Sequence, residues 1–160
     1  LEAALQLFDR GRDFELLLIG DGEQRGELER RAQGRRGVRL LGFRNQTELP
    51  RFYDLADLFV LPSDYEPWGL VVNEAMACGT PVLASDRVGS ARDLIEPGQS
   101  GWIFPAGDAR ALARALEQAL SDPAALARAG ALAAQRVQRF DFEADAAGLQ
   151  AALRFLGLLP

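Results

Sequence analysis

The 160-residue sequence contains no histidine and no lysine, and only one cysteine (Cys78) and one methionine (Met76). All 18 of its basic residues are arginine. Without lysine there is no amine for a Schiff base and no phosphate-loop lysine. Without histidine no imidazole can activate a serine or cysteine nucleophile. A closed zinc site of cysteine and histidine is excluded by count. A single thiol forms no disulfide framework and fits a reducing compartment, so the expected location is the cytoplasm. Long apolar runs are missing too: none approaches the roughly 20 residues that cross a bilayer, and no segment reads as a signal peptide. Acidic residues outnumber arginines 23 to 18, and the net charge of −5 argues against nucleic acid or an anionic membrane as the main partner. What remains for chemistry is carboxylates, guanidiniums, hydroxyls, backbone amides and helix ends.

The rest of the composition is that of an ordinary folded domain, with 48% hydrophobic and 26% charged residues. Residues 1–160 are expected to form one domain able to bury most of its chain. The chain opens at Leu1 and its only methionine is internal, which points to a piece of a longer protein.

Along the chain, Leu1, Leu5 and Phe8 lie on one face of a helix that Gly11 can end. The run FELLLIG at 14–20 is almost uninterruptedly apolar, the pattern of a parallel strand buried on both faces. A charged surface helix is expected at 23–33 and a second strand at 38–43. Thr47 can cap a helix that carries Pro50 in its first turn. Strands are expected at 58–63, 81–85 and 101–104. Helices fall between them over LVVNEAMACG and over ARDLIE, the latter capped by Ser90. Asp108, Asp122 with Pro123, and Asp141 open three closing helices over 108–156. Strands alternating with helices through short connections predict an α/β fold: a Rossmann-like, doubly wound parallel sheet.

Open parallel sheets bind ligands beyond the carboxyl ends of their strands, and three such ends stand out. After the first strand, Gly20, Gly22 and Gly26 are spaced G-x-G-x-x-x-G, one residue off the dinucleotide fingerprint. No acidic residue closes the next strand, which counts against a dinucleotide. The glycines suit a tight turn, or a backbone that lets a ligand approach. The second end is the turn at Phe43 and Arg44, unremarkable on its own. The third carries Glu66 in the loop after the 58–63 strand, taken as central, and Glu74 inside the following helix. Gly69, Leu70 and Val71 form that helix's first turn, where outward amides and the macrodipole attract phosphate. Singly, Glu66 and Glu74 read as solvated charges. Flanking an anion-binding helix end, they suit a substrate with phosphate on one side and hydroxyls on the other.

Glu66 and Glu74 stand with seven residues between them within EPWGLVVNEAMACGTPVLAS. This resembles the E-x7-E signature of retaining glycosyltransferases of the GT-B fold, the glycosyltransferase family 4 group. LLLIGDGEQRGELE, VRLLGF, ELPRFYDLADLFVLPS and DLIEPGQSGWIFPAGDARALARAL are similar to that family's C-terminal domain in order and spacing. The resemblance implies that Glu74 bonds the nucleotide's ribose hydroxyls and that Glu66 orients the donor sugar. The amides of Gly69, Leu70 and Val71 would meet phosphate or sugar, the backbone at Phe43 and Arg44 the base, and Gly20 and Gly22 would leave room for the donor. It also implies a nucleotide-diphospho-sugar as substrate, no metal or other cofactor, and an N-terminal acceptor domain as partner. Peripheral attachment to the inner membrane face would run through that domain. The family's first strand and its G-R-x4-K-G stretch, whose Arg and Lys grip the diphosphate, have no match here: LEAAL corresponds to the helix after them. The isolated chain is therefore expected to bind donor weakly or not at all, and not to catalyse.

Other readings stay compatible with these residues: a nucleotide-sugar epimerase of the same fold, though it would want a histidine; a non-catalytic nucleotide-sugar-binding module; or a glycoside hydrolase with Glu66 and Glu74 as its carboxylate pair. The five arginines of RRAQGRRGVR (30–39) read as a solvated surface. Trp68 could line a sugar site or simply pack, Trp102 reads as strand packing, and Cys78 as a small buried residue. Phe142, Leu149 and Leu153 share a face of the last helix that would be exposed without its partner domain.

Overall fold

A computed structural model describes residues 1–159. The elements are α1 (Glu2–Asp9), β1 (Leu16–Ile19), α2 (Arg25–Ala32), β2 (Val38–Gly42), α3 (Leu49–Leu55), β3 (Phe59–Leu61) and α4 (Leu70–Ala77). They continue with β4 (Val82–Ser85), α5 (Ala91–Leu94), β5 (Gly101–Phe104), α6 (Ala109–Leu120), α7 (Pro123–Val137) and α8 (Phe142–Phe155). Every strand pairing is parallel, and the chain is an α/β fold of the Rossmann-like kind. The strands form two ladders, β1–β2 and β3–β4–β5.

That division corrects the place of the strand before Glu66. Among the described residues β3 has a partner on one side only and is half-buried, whereas every residue of β4 is inaccessible. β4 is the middle of its ladder, and its alternating side chains serve two cores. Val82 and Ala84 join Tyr53, Val72, Met76, Leu94 and Ala133 on one face. Leu83 joins Ala3, Leu7, Phe104 and Leu116 on the other. Helices thus cover both faces. β1 likewise has one partner and is half-buried rather than buried on both faces.

Local chemistry opens the three closing helices. Asp108, Asp122 and Asp141 each accept backbone N–H bonds from the first turn of their helix, and Pro123 opens α7. The Asp122 carboxylate accepts from both Ala124 and Ala125 at 3.0 Å. Asp122→Ala is expected to lower stability by about 1 kcal/mol, read as an earlier urea midpoint at unchanged slope. An unchanged midpoint would show that the cap contributes nothing.

Two caps differ from expectation. The turn before α3 is held by Asn45, not Thr47: the Asn45 side chain accepts from the N–H groups of Thr47 and Glu48, and Glu48 Oε2 accepts from the Asn45 N–H. This reciprocal arrangement is a capping box. Ser90 has helical backbone angles and makes no cap bond; its buried Oγ has no partner among the described residues. In α1 the buried side chains are Ala3, Ala4 and Leu7, so the Leu1–Leu5–Phe8 stripe borders the contact, and Phe8 stacks on Phe14. Cys78 is exposed, because the buried face of α4 is made by Val72, Ala75 and Met76 and Cys78 falls off it. α8 buries none of its residues, leaving Phe142 at 92% and Leu149 at 62% exposure. Among the described residues no helix is long and apolar enough to cross a membrane.

Candidate functional site

The carboxyl ends of β1 and β2 are joined by one bond, from the Gly20 N–H to the Gly42 carbonyl at 2.9 Å. The register slips there, so that Ile19 pairs with Gly42, which has φ +70°. The chain then turns outward and leaves Phe43 71% exposed, while the Arg44 guanidinium lies 5.9 Å from the centre of the Phe52 ring. Gly20 has φ +126°, which L side chains rarely adopt. A β-carbon at Gly20 or Gly22 would meet no atom within 4 Å, so the backbone there faces open space. Arg25, from the start of α2, reaches over Gly42 while paired with Asp21 and Glu29. Those two carboxylates keep it charged well beyond neutral pH.

The loop after β3 is fastened to the loop after β4. The Glu66 N–H donates to the Arg87 carbonyl at 3.1 Å, and the Glu66 carbonyl accepts from the Gly89 N–H at 2.9 Å. Glu66 and Val88 thereby form a parallel bridge, and the Ser90 N–H donates to the Trp68 carbonyl. The Glu66 side chain is half-buried, and its carboxylate faces the Trp68 N–H at 3.4 Å. Sequence reasoning missed the 87–89 loop as the support of Glu66. No local signal marks it, since the partners lie some twenty residues apart.

Gly69 is the N-cap of α4, with φ +89°. It is buried, and a β-carbon there would press on Glu66 Cγ and Val88 Cγ1, each at 3.1 Å. No side chain caps this helix, and the amides of Gly69, Leu70 and Val71 have no acceptor among the described residues. Leu70 is 67% exposed, so the helix opening faces outward. Trp68 lies across it, its indole N–H donating to Asn73 Oδ1 at 3.1 Å.

Glu74 sits one turn into α4 and is half-buried. Its Oε2 accepts from the Tyr53 hydroxyl at 3.0 Å, the carboxylate's one hydrogen-bond partner among the described residues. Tyr53 is 6% exposed, and burial together with Glu74 pushes its phenol well above the usual range, so it stays a hydrogen-bond donor. Sequence reasoning missed Tyr53 as well. An aromatic with a polar tip on a core-facing helix needs a partner when buried, and that was the available signal.

The structure therefore gathers Glu66, the open amides at Gly69–Val71 and Glu74 around one loop–helix junction, and places Gly20, Gly22, Phe43 and Arg44 at the carboxyl end of the other ladder. Such a junction can bind an anion at the amides and hydroxyl groups at the carboxylates. The arginine run at 30–39 is exposed and largely paired: Arg31 with Glu2 and Glu27, Arg35 with Asp9, and Arg39 with Glu15.

Residues 1–136 match the family model for the glycosyl transferases group 1. The chain belongs to that family of transferases. Alpha-D-kanosaminyltransferase of Streptomyces kanamyceticus is 39% identical over 127 residues, covering 77% of this chain and 32% of that protein. Sucrose-phosphate synthase from Thermosynechococcus elongatus superposes with a TM-score of 0.79 at 35% identity, over 97% of this chain and 41% of that one. Anabaena Alr3699/HepE, solved in complex with UDP and glucose, gives 0.71 at 30% identity, over 90% of this chain and 41% of that one. The chain spans about a third of the length of the curated relatives it matches.

Proposed function

We propose that this chain is the donor-binding part of a retaining, nucleotide-sugar-dependent glycosyltransferase that passes a hexose to a glycan, lipid or small-molecule acceptor. The observation that carries the reading is the junction of Glu66, the open amides of Gly69, Leu70 and Val71, and Glu74. Its chemistry matches a molecule with a diphosphate between two polyhydroxylated ends. The fold-mate solved with UDP and glucose supports a donor of that class.

Glu74 is the acceptor for the ribose hydroxyls and Glu66 for hydroxyls of the transferred sugar. The amides of α4 face the distal phosphate, and the exposed backbone at Phe43 and Arg44 receives the base. Gly20 and Gly22 keep the approach clear. Transfer passes through an oxocarbenium-like state, and the main service of the protein is stabilising the departing nucleoside diphosphate. No histidine or lysine in this chain is asked to move a proton. The reading calls for no metal or other resident cofactor, and the donor is itself the substrate. The acceptor and the remaining diphosphate contacts belong to other parts of a cytoplasmic enzyme that works at or near the inner membrane face.

The test is a panel of UDP, GDP and ADP sugars against the full-length enzyme, followed by Glu74→Ala with the donor that stabilises it. A carboxylate bonded to ribose hydroxyls contributes about 1.5–3 kcal/mol, so the donor KM is expected to rise on the order of tenfold to a hundredfold. No stabilisation by any nucleotide sugar, or an unchanged KM in Glu74→Ala, would overturn the reading.

A further inference from the structure

The side chain that holds Glu74 in place is not itself open to ligand. Tyr53 lies near the carboxyl end of α3 and is 6% exposed, so it cannot touch a donor. Its hydroxyl nevertheless reaches Glu74 Oε2 at 3.0 Å. The ring is fixed from the side by Phe59, edge to face, with centroids 5.4 Å apart and planes at 89°. The backbone is fixed as well: the Tyr53 carbonyl accepts from Thr80 Oγ1 at 2.7 Å. Thr80, 2% exposed, donates its own N–H to the Ala75 carbonyl at 3.0 Å, one residue beyond Glu74. A closed circuit therefore runs from α3 through the turn after α4 and back to the helix that carries Glu74.

A glutamate on a helix has three side-chain torsions, and ordering it on binding costs up to about 1.5–2 kcal/mol. Tyr53 removes much of that freedom beforehand by holding one oxygen. Among the described residues Oε1 has no donor, and it is the oxygen left for a ligand. We propose that Tyr53 is a positioning residue for donor binding, one that presets the Glu74 carboxylate so that its second oxygen meets the ribose hydroxyls. This rests on the reading of Glu74 given above. Burial and the adjacent carboxylate both keep the phenol protonated, so the bond persists throughout the neutral and mildly alkaline range.

The alternative is that Glu74 merely satisfies a buried hydroxyl. The two roles separate in kinetics. In the full-length enzyme, Tyr53→Phe keeps the ring and its contact with Phe59 but deletes the donor. The expected result is a donor KM about fivefold to tenfold higher, the worth of one hydrogen bond, with kcat changed less than twofold. In a Glu74→Ala background the same substitution should add nothing to KM, because there is no carboxylate left to position. Thermal melting of each variant reports the structural contribution separately.

A Tyr53→Phe enzyme with unchanged donor KM, beside a Glu74→Ala enzyme with a raised one, would overturn the positioning role and leave the proposed function standing. A KM rise of equal size in both backgrounds would overturn it too, since the effect would then come through packing. If Glu74→Ala itself leaves donor KM unchanged, the reading of Glu74 fails and this inference falls with it.

Discussion

Replacing Gly89 by alanine is expected to abolish most of the activity and to destabilise the fold more than any other single glycine change near the site. A β-carbon at Gly89 would lie 2.0 Å from the Pro67 carbonyl oxygen and 2.8 Å from its carbon. Both are backbone atoms, so no rotamer change can relieve the clash; the 66–69 loop must move away. That movement stretches the bond from the Gly89 N–H to the Glu66 carbonyl and the bridge between Glu66 and Val88. Overpacking costs typically 1–3 kcal/mol, and a clash against backbone belongs at the top of that range. For a domain of this size about 3 kcal/mol corresponds to a fall in Tm on the order of 10 °C. Gly26→Ala serves as the control, because a β-carbon there meets nothing within 4 Å and its φ is unexceptional. A Gly89→Ala protein that melts and turns over like Gly26→Ala would show that the two loops do not depend on one another.

The second large effect concerns Glu66. Its backbone is pinned at both ends by the 87–89 loop, so a change of side chain there leaves the loop in place. Glu66→Gln keeps the size and one acceptor oxygen but removes the charge. Hydrogen bonds to sugar hydroxyls that strengthen in an oxocarbenium-like transition state supply several kcal/mol. Losing about 2.7 kcal/mol of that difference lowers kcat roughly a hundredfold. The donor KM should move far less, since ground-state binding is shared with the amides and Glu74. The pair of variants then divides the work: Glu74→Ala raises KM, Glu66→Gln lowers kcat. A Glu66→Gln enzyme with kcat within twofold of the wild type would remove Glu66 from the reaction.

Much of the fold was legible because its signals are short-range. Asp108, Asp122 and Asp141 cap helices by bonds spanning two or three residues, and each does so in the structure. Ser90 shows the limit of that rule: it has the right residue type in the right place, yet its backbone is already helical and its hydroxyl is buried with no partner among the described residues. Asn45 took the capping role expected of Thr47 because Glu48, three residues on, could return the bond to its backbone. Cys78 misled for a different reason. Small size is compatible with burial but does not cause it, and the angular position on α4 decided its exposure.

The candidate site divides the same way. The seven residues that separate Glu66 from Glu74, the glycine at the helix start and the alternation of apolar runs with amphipathic ones are properties of neighbouring residues. They set the family, the element order and the two carboxylates. Which strand is most buried, what supports Glu66 and what holds Glu74 were decided only by tertiary structure. β4 rather than β3 is the innermost strand of its ladder because pairing, not hydrophobicity, settles strand order. The 87–89 loop reaches Glu66, and Tyr53 reaches Glu74, across separations of about twenty residues. Periodicity and capping act over one or two turns, whereas those contacts exist only because parallel crossovers return the chain to the same end of the sheet.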